Sequence, residues 1–180
     1  YSPYERRHGD NSVELDEWNK FCDFRDKIKS KGASLYSPFR QESFDKPYWI
    51  VAGLKFYMIG PIKSIAKSET RELHDACLVI TIELKDRKTV FPGDSSDTSL
   101  NYIANNTKGI CGDILHASHH GSINGADLDF IKKASPKYTV ISTASGVHEN
   151  IPHPTAIKRY KDNTTEEVYR TDNGTITFSF

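Results

Sequence analysis

The sequence predicts a layered α/β fold, and three observations predict it. Through residues 76–170, short apolar runs of strand type alternate with segments of helical period. The strand runs are three to eight residues long and most are bounded by Gly, Pro, Asn, Asp or Ser, as short buried strands are. The 180 residues are 37% apolar and 27% charged, a balance that suits one globular domain with a real core rather than a disordered tail. No internal repeat and no low-complexity segment compete with this reading.

The elements follow in order. Residues 1–13 are polar and turn-rich, without a period. From Glu14 to Lys31, the residues Leu15, Trp18, Phe21, Cys22, Phe24 and Ile28 recur at helical spacing, and Gly32 supplies a stop. Residues 33–47 carry two prolines and read as a loop. Residues 48–51 and 54–59 flank Ala52-Gly53 as a hairpin, which Gly60-Pro61 ends. The polar stretch 62–75, rich in Lys, Ser and Glu, is expected to be a mobile loop. A β-rich run over 77–84 then turns at Asp86-Arg87 into a short return strand over 89–91. Beyond it come a helix over 99–105, a strand over 114–117, a helix over 126–133 and a buried strand over 138–142. A helix over 154–161 opens on Pro154. A closing hairpin pairs 168–170 with 175–180 across Asn173-Gly174.

Charge and cysteine content set outer bounds on function. Lys plus Arg and Asp plus Glu number 24 each, so no long-range field draws the chain to nucleic acid, although a local basic groove is compatible with this balance. No segment approaches the ~20 apolar residues of a membrane span, and no signal peptide opens the chain. Cys22, Cys77 and Cys111 form no CxxC pair and are expected to be buried free thiols; the compartment expected is cytoplasmic.

Chemistry-bearing residues gather where strands stop. Phe91-Pro92-Gly93-Asp94 ends a strand with a glycine turn and a carboxylate, a placement that lets Asp94 leave the sheet edge toward a crevice. Alone, a GD pair is most often an ordinary turn. After the next strand come Ser118-His119-His120-Gly121-Ser122. Adjacent imidazoles at the end of a buried strand are costly unless ligated or hydrogen-bonded, and neutral imidazole suits Zn²⁺. Ser122 offers a hydroxyl to a substrate oxygen or to a helix cap. Two exposed loop histidines are the competing reading of the same string. Pro152 and Pro154 hold His153 in an extended loop, a rigidity that suits a ligand. His148 reads as a surface residue. The His74-Asp75 pair reads as a water-facing loop pair, with a ligand or acid/base couple as the alternative, and Arg170 and Asp172 as hairpin-edge charges, with presentation to the site as the alternative.

In order, CLVITIEL, TVFPGD, DILHASHHGS, YTVIS, an HP step and VYRTDNGTI resemble the second half of metallo-β-lactamase-fold proteins of the ComEC-type competence group. The resemblance covers 76–180; residues 1–75 are similar to that group's variable helix-plus-hairpin region of the same domain. It implies an αββα sandwich, here mainly its second half. It also implies a site with Asp94 bridging two divalent metals, Zn or Mn, and His119 or His120 and His153 in or beside the coordination sphere. Ser122 follows as a substrate contact, so that Asp94, His120 and Ser122 make the catalytic set. His74 stands where that group usually carries an asparagine. The family's HxHxDH signature is absent from these residues, since no HxH occurs here. The expectation is therefore a C-terminal portion whose partner is the N-terminal part of the same fold or another chain. Alone, that portion is expected to bind metal weakly and to be nearly inactive.

The function this implies is a metal-dependent hydrolase, a phosphodiesterase or nuclease attacking with metal-activated hydroxide. A lactone, thioester or β-lactam is the alternative substrate, and a metal-free scaffold or binding module is the non-enzymatic alternative. A phosphate substrate predicts cations near the site, for which Lys158, Arg159 and Arg170 are the candidates.

Overall fold

Two residues with positive φ, Ala52 at 49° and Gly53 at 82°, close the first hairpin, and the sheet grows outward from it in chain order. The computed structural model describes residues 1–144, 146 and 148–179. Among them seven strands form one mixed sheet, ordered β1-β2-β3-β4-β5-β6-β7. They are β1 (Trp49–Val51), β2 (Leu54–Gly60), β3 (Val79–Leu84), β4 (Arg87–Phe91), β5 (Ile114–His116), β6 (Tyr138–Ile141) and β7 (Glu167–Arg170). Five α-helices accompany them among the described residues: α1 (Leu15–Ser30), α2 (Lys63–Ala66), α3 (Asp97–Asn106), α4 (Leu128–Ala134) and α5 (Pro154–Asn163). The chain is a mixed α/β protein.

The sheet has two halves of different physics. From β1 to β4 neighbours are antiparallel and joined by tight turns. From β4 to β7 they are parallel, and each step needs a crossover, which α3, α4 and α5 supply. Crossovers of one hand, repeated in one direction along a sheet, lay their helices on the same face. Alternation along the strands then turns Val79, Val90, Leu115 and Ile141 to that face, where they meet Leu100, Ile103, Phe130 and Tyr160 in one core. Capping fixes where α3 and α4 begin: Ser96 accepts the Ser99 N–H and Asp127 accepts the Phe130 N–H.

The opposite face carries the alternate residues. Ile82 of β3 registers with Thr89 of β4, which registers with Ile114 of β5 and on to Tyr138 of β6. His116, Val140 and Tyr169 form the next row. Part of this face is covered by α1, where Phe21 and Trp49 line an apolar cleft with Leu78. Elsewhere it is open: Phe91 is 39% exposed.

Most expected elements form within two residues of their expected ends. Residues 62–75 differ from the expected loop, because they hold α2 and a 3₁₀ turn over Leu73–Ala76. Their polar residues find partners: the Arg71 side chain, 2% exposed, pairs with Asp10 and stacks over Tyr4. The closing hairpin also differs. After β7 a 3₁₀ turn over Thr171–Asn173 redirects the chain, and no strand forms over 175–179. Phe178 packs instead on Tyr138 and Tyr169, so aromatic burial on the sheet face wins over edge pairing; Phe180 lies outside the described residues. All three cysteines are free, but only Cys22 and Cys77 are half-buried, and Cys111 is exposed. No helix among the described residues is long and apolar enough to cross a membrane.

At the far end of the parallel strands, Asp113 accepts from Arg87, Lys137 and the Lys88 N–H at 2.9–3.0 Å. Partial burial works against its charge, yet Lys137, the Lys88 N–H and Arg87 outweigh that and hold its pKa down to about 2. A depressed carboxylate stabilises the fold above its unfolded pKa and loses that contribution as pH falls through the folded one. Asp113→Asn should therefore cost on the order of 1 kcal/mol at neutral pH, allowing for solvent screening of the exposed cations. That cost should shrink between pH 3.8 and about 2. Urea unfolding of both proteins across this range measures it.

Candidate functional site

The parallel strands β4, β5 and β6 all point their C-terminal ends to one edge, where α/β sheets place ligands. Asp94 follows β4, His119 and His120 follow β5, and the Ser142 carbonyl follows β6. The local chain conformation is unusual: His119 (φ 49°, ψ 45°) and His120 (φ 55°, ψ 24°) are both left-handed. Such residues persist only where their surroundings over-determine them.

Those surroundings are specific. The Gly93 carbonyl accepts both the His119 N–H at 3.1 Å and the Ser118 hydroxyl at 3.0 Å. Ser118 also lies 3.0 Å from the Ser95 carbonyl, which ties the aspartate loop to the histidine loop. The Ser122 N–H closes on the His119 carbonyl at 2.8 Å, and the His153 N–H on the Gly121 carbonyl at 2.9 Å. At two glycines there is no room for a side chain. A Cβ on Gly121 (φ +79°) would lie 2.8 Å from the Pro152 Cβ, and one on Gly125 would lie 2.9 Å from the His119 Cβ.

The two histidines face different neighbours. His120 Nδ1 lies 2.9 Å from the Ser142 carbonyl, which can only accept, so Nδ1 carries the proton. The Nε2 of His120 is then the atom turned toward Asp94, at 3.7 Å from Oδ1. A carboxylate oxygen and an imidazole lone pair repel unless a proton or a cation lies between them. The second nitrogen of a metal-ligating histidine is held by a backbone carbonyl in this same way. His119 packs against His74 with the rings tilted, their centroids 4.4 Å apart. Burial lowers the His119 pKa, His74 and His120 add to this, and Asp94 opposes it. His116, against the Phe91 ring, is lowered by burial and by His120, again against Asp94. Burial and the Asp94 charge push the neighbouring Cys77 thiol up to about 11, so it stays protonated.

The remaining expected residues are placed less centrally. His153 caps α5, its Nδ1 accepting the Thr155 N–H at 3.1 Å, so its Nε2 carries the proton and is a donor. Ser122 is buried and its side chain makes no cap bond. His148 is exposed and shares with His120 an open cleft of about 320 Å³. The three cations are committed elsewhere: Lys158 to Asp162, Arg159 to the Ala126 carbonyl, and Arg170 to Asp172. His74, which the sequence places in a water-facing loop, is brought into the site; its signal is that it immediately precedes the buried Asp75.

No family model matches the chain, and no curated protein matches it. Among the described residues, no three His, Cys, Asp or Glu side chains already converge closely enough to hold a metal ion. The Asp94–His120 pair nevertheless has the donor chemistry for one: an anionic oxygen and an oriented imidazole nitrogen facing a common space.

Two outcomes follow. Gly121→Ala should destabilise the fold by roughly 1–3 kcal/mol, since it adds both a strained φ and an overpacked Cβ; thermal unfolding checks this. Imidazole signals of His116 and His119 should titrate below 6.5 in NMR. Because the unfolded chain binds these protons more readily, stability should fall as pH drops below 6.5 and be unaffected by them above it.

Proposed function

We propose that this chain forms the metal-binding second half of a metallo-β-lactamase αββα sandwich, in a hydrolase that cleaves a phosphodiester. What carries the reading is the pair of acceptors, Asp94 Oδ1 and His120 Nε2, turned toward each other with Nδ1 anchored on Ser142. The position of both residues at the ends of parallel strands, where α/β sheets hold ligands, supports it.

Asp94, His120 and His119 are the residues that would hold one or two divalent ions, with His74 beside His119 as a further nitrogen donor. A bound divalent ion supplies an activated water and neutralises charge on the leaving oxygen. The chain's own residues do the rest. Burial keeps His119 neutral at physiological pH, the state that can donate a lone pair. Asp94 holds negative charge at the centre. His153, with its proton on Nε2, is a candidate donor to the leaving group. The half-covered sheet face is where the rest of the sandwich, or another chain, would pack and contribute further ligands.

A second reading has its own observation. Lys158 is paired with Asp162 and Arg159 with the Ala126 carbonyl, and Arg170, which ends β7 at this same edge, is held by Asp172. None of the three is a free phosphate clamp, which favours a neutral ester such as a lactone, thioester or β-lactam.

Titration calorimetry with Mn²⁺ and with Zn²⁺ tests the metal centre. Weak, saturable binding is expected, lost by about tenfold or more in a His119→Ala, His120→Ala double variant. Binding unchanged in that variant would sink the proposal. Hydrolysis assays with added Mn²⁺ on a generic phosphodiester and on a lactone separate the substrates, and activity on the lactone alone would select the second reading.

A further inference from the structure

Asp75 is 5% exposed, and no Lys, Arg or His among the described residues pairs with its carboxylate. Three hydrogen-bond donors satisfy it instead. Oδ1 accepts from the Ser96 hydroxyl and, at 3.2 Å, from the Ser99 hydroxyl; Oδ2 accepts the Glu72 N–H at 2.8 Å. A carboxylate held by several donors is a rigid junction, because each donor fixes one direction of its lone pairs.

What it joins is informative. Its own 3₁₀ turn, Leu73–Ala76, carries His74, whose ring lies against His119. Ser96 ends the loop that carries Asp94, and the same Ser96 oxygen caps α3 by accepting the Ser99 N–H at 3.2 Å. From the other side, Ser118 holds the Gly93 and Ser95 carbonyls. The Asp94 loop is thus gripped at both ends, by Ser118 on the histidine loop and by Asp75 on the His74 turn. Neither group touches the space between Asp94 and His120.

We infer that Asp75 is a positioning residue that sets the His74–His119 ring pair against the Asp94 carboxylate. The inference rests on the metal-site reading for its consequence, and on the contacts of Asp75 for its cause. Asp75→Asn keeps the shape but removes the charge. With its oxygen on the Glu72 N–H, its NH₂ faces the two serine oxygens, so both hydroxyls must reverse from donor to acceptor, and Ser96 must do so while its oxygen already accepts the Ser99 N–H.

The test uses the full 180-residue chain and two readouts. In metal-free protein, NMR imidazole signals of His74 and His119 should move in Asp75→Asn, while the amide signal of Lys137, beside Asp113 at the opposite end of the sheet, stays in place. Mn²⁺ affinity, by calorimetry, should fall about tenfold, the effect of losing a group that orients a ligand. Asp113→Asn, an equally well-satisfied carboxylate at the opposite end of the sheet, should lower stability but change neither readout. A folded Asp75→Asn protein that is less stable, yet keeps its His74 and His119 signals and its Mn²⁺ affinity, overturns the inference. If Asp75→Asn does not fold, Ser99→Ala removes a single donor and should shift the same signals by less; unchanged signals there overturn it equally. If the unaltered chain binds no Mn²⁺, the metal reading fails, and the imidazole signals alone still decide the role of Asp75.

Discussion

The left-handed turn at His119 and His120 is the constraint on which the rest of the site depends. Each non-glycine residue in that conformation costs on the order of 1–2 kcal/mol, and two in succession need a compensating frame. The frame is the Gly93 carbonyl, which uses both lone pairs, one for the His119 N–H and one for the Ser118 hydroxyl. Because Gly93 belongs to the loop that carries Asp94, the strain of one loop is held by the backbone of the other. Aspartate and histidines are therefore placed by one set of bonds, and neither loop can relax without moving its neighbour.

The sheet explains why those loops are neighbours. Parallel pairing of β4 with β5 and of β5 with β6 brings three successive strand ends to one edge. The crossovers through α3 and α4 make this possible while burying the helix-side residues Leu100, Ile103, Phe130 and Ile131 in the same core as Val90 and Leu115. Packing thus supplies the stiffness, and the strand ends spend it on geometry. Gly121 and Gly125 belong to the same logic: both are spots where backbone must pass within contact of Pro152 or His119, and any Cβ would push the imidazoles out of register.

Local chemistry made much of this legible in the sequence, and tertiary choices hid the remainder. The Ala52-Gly53 turn, the strand over 79–84 and the proline-opened α5 follow from propensity and period alone. Asp94 and His120 were marked by their position just after strands, and they do meet. His153 stands out by the prolines on either side of it, yet its Nδ1 serves the nearest unsatisfied helix donor, the Thr155 N–H, a competition that spacing cannot reveal. For His74 the sequence favours a water-facing loop over a ligand or acid/base role, because nothing in residues 62–75 has a period. Its place is set by the burial of Asp75 next door, and by Ser96 and Ser99 more than twenty residues away. The C-terminal segment has the alternation of a strand, but the choice between an edge and the aromatic face of Tyr138 and Tyr169 is made in three dimensions.

The two buried or half-buried carboxylates at opposite ends of the sheet show why the site end is built as it is. Asp113 is satisfied by two cations, Arg87 and Lys137, a solution available where no chemistry is needed. Asp75 is satisfied by hydroxyls and a backbone N–H. A lysine or arginine in place of Ser96 would be only two residues in sequence from Asp94, and at short range its charge would be worth several kcal/mol at an effective dielectric near 20. It would compete with any cation for the field of Asp94. Hydroxyl donors fix the geometry and leave the negative potential in place, so rigidity and a site receptive to a divalent ion are obtained together. The neutral imidazoles of His116 and His119 follow the same rule, since burial removes from the site the protons that would oppose a metal.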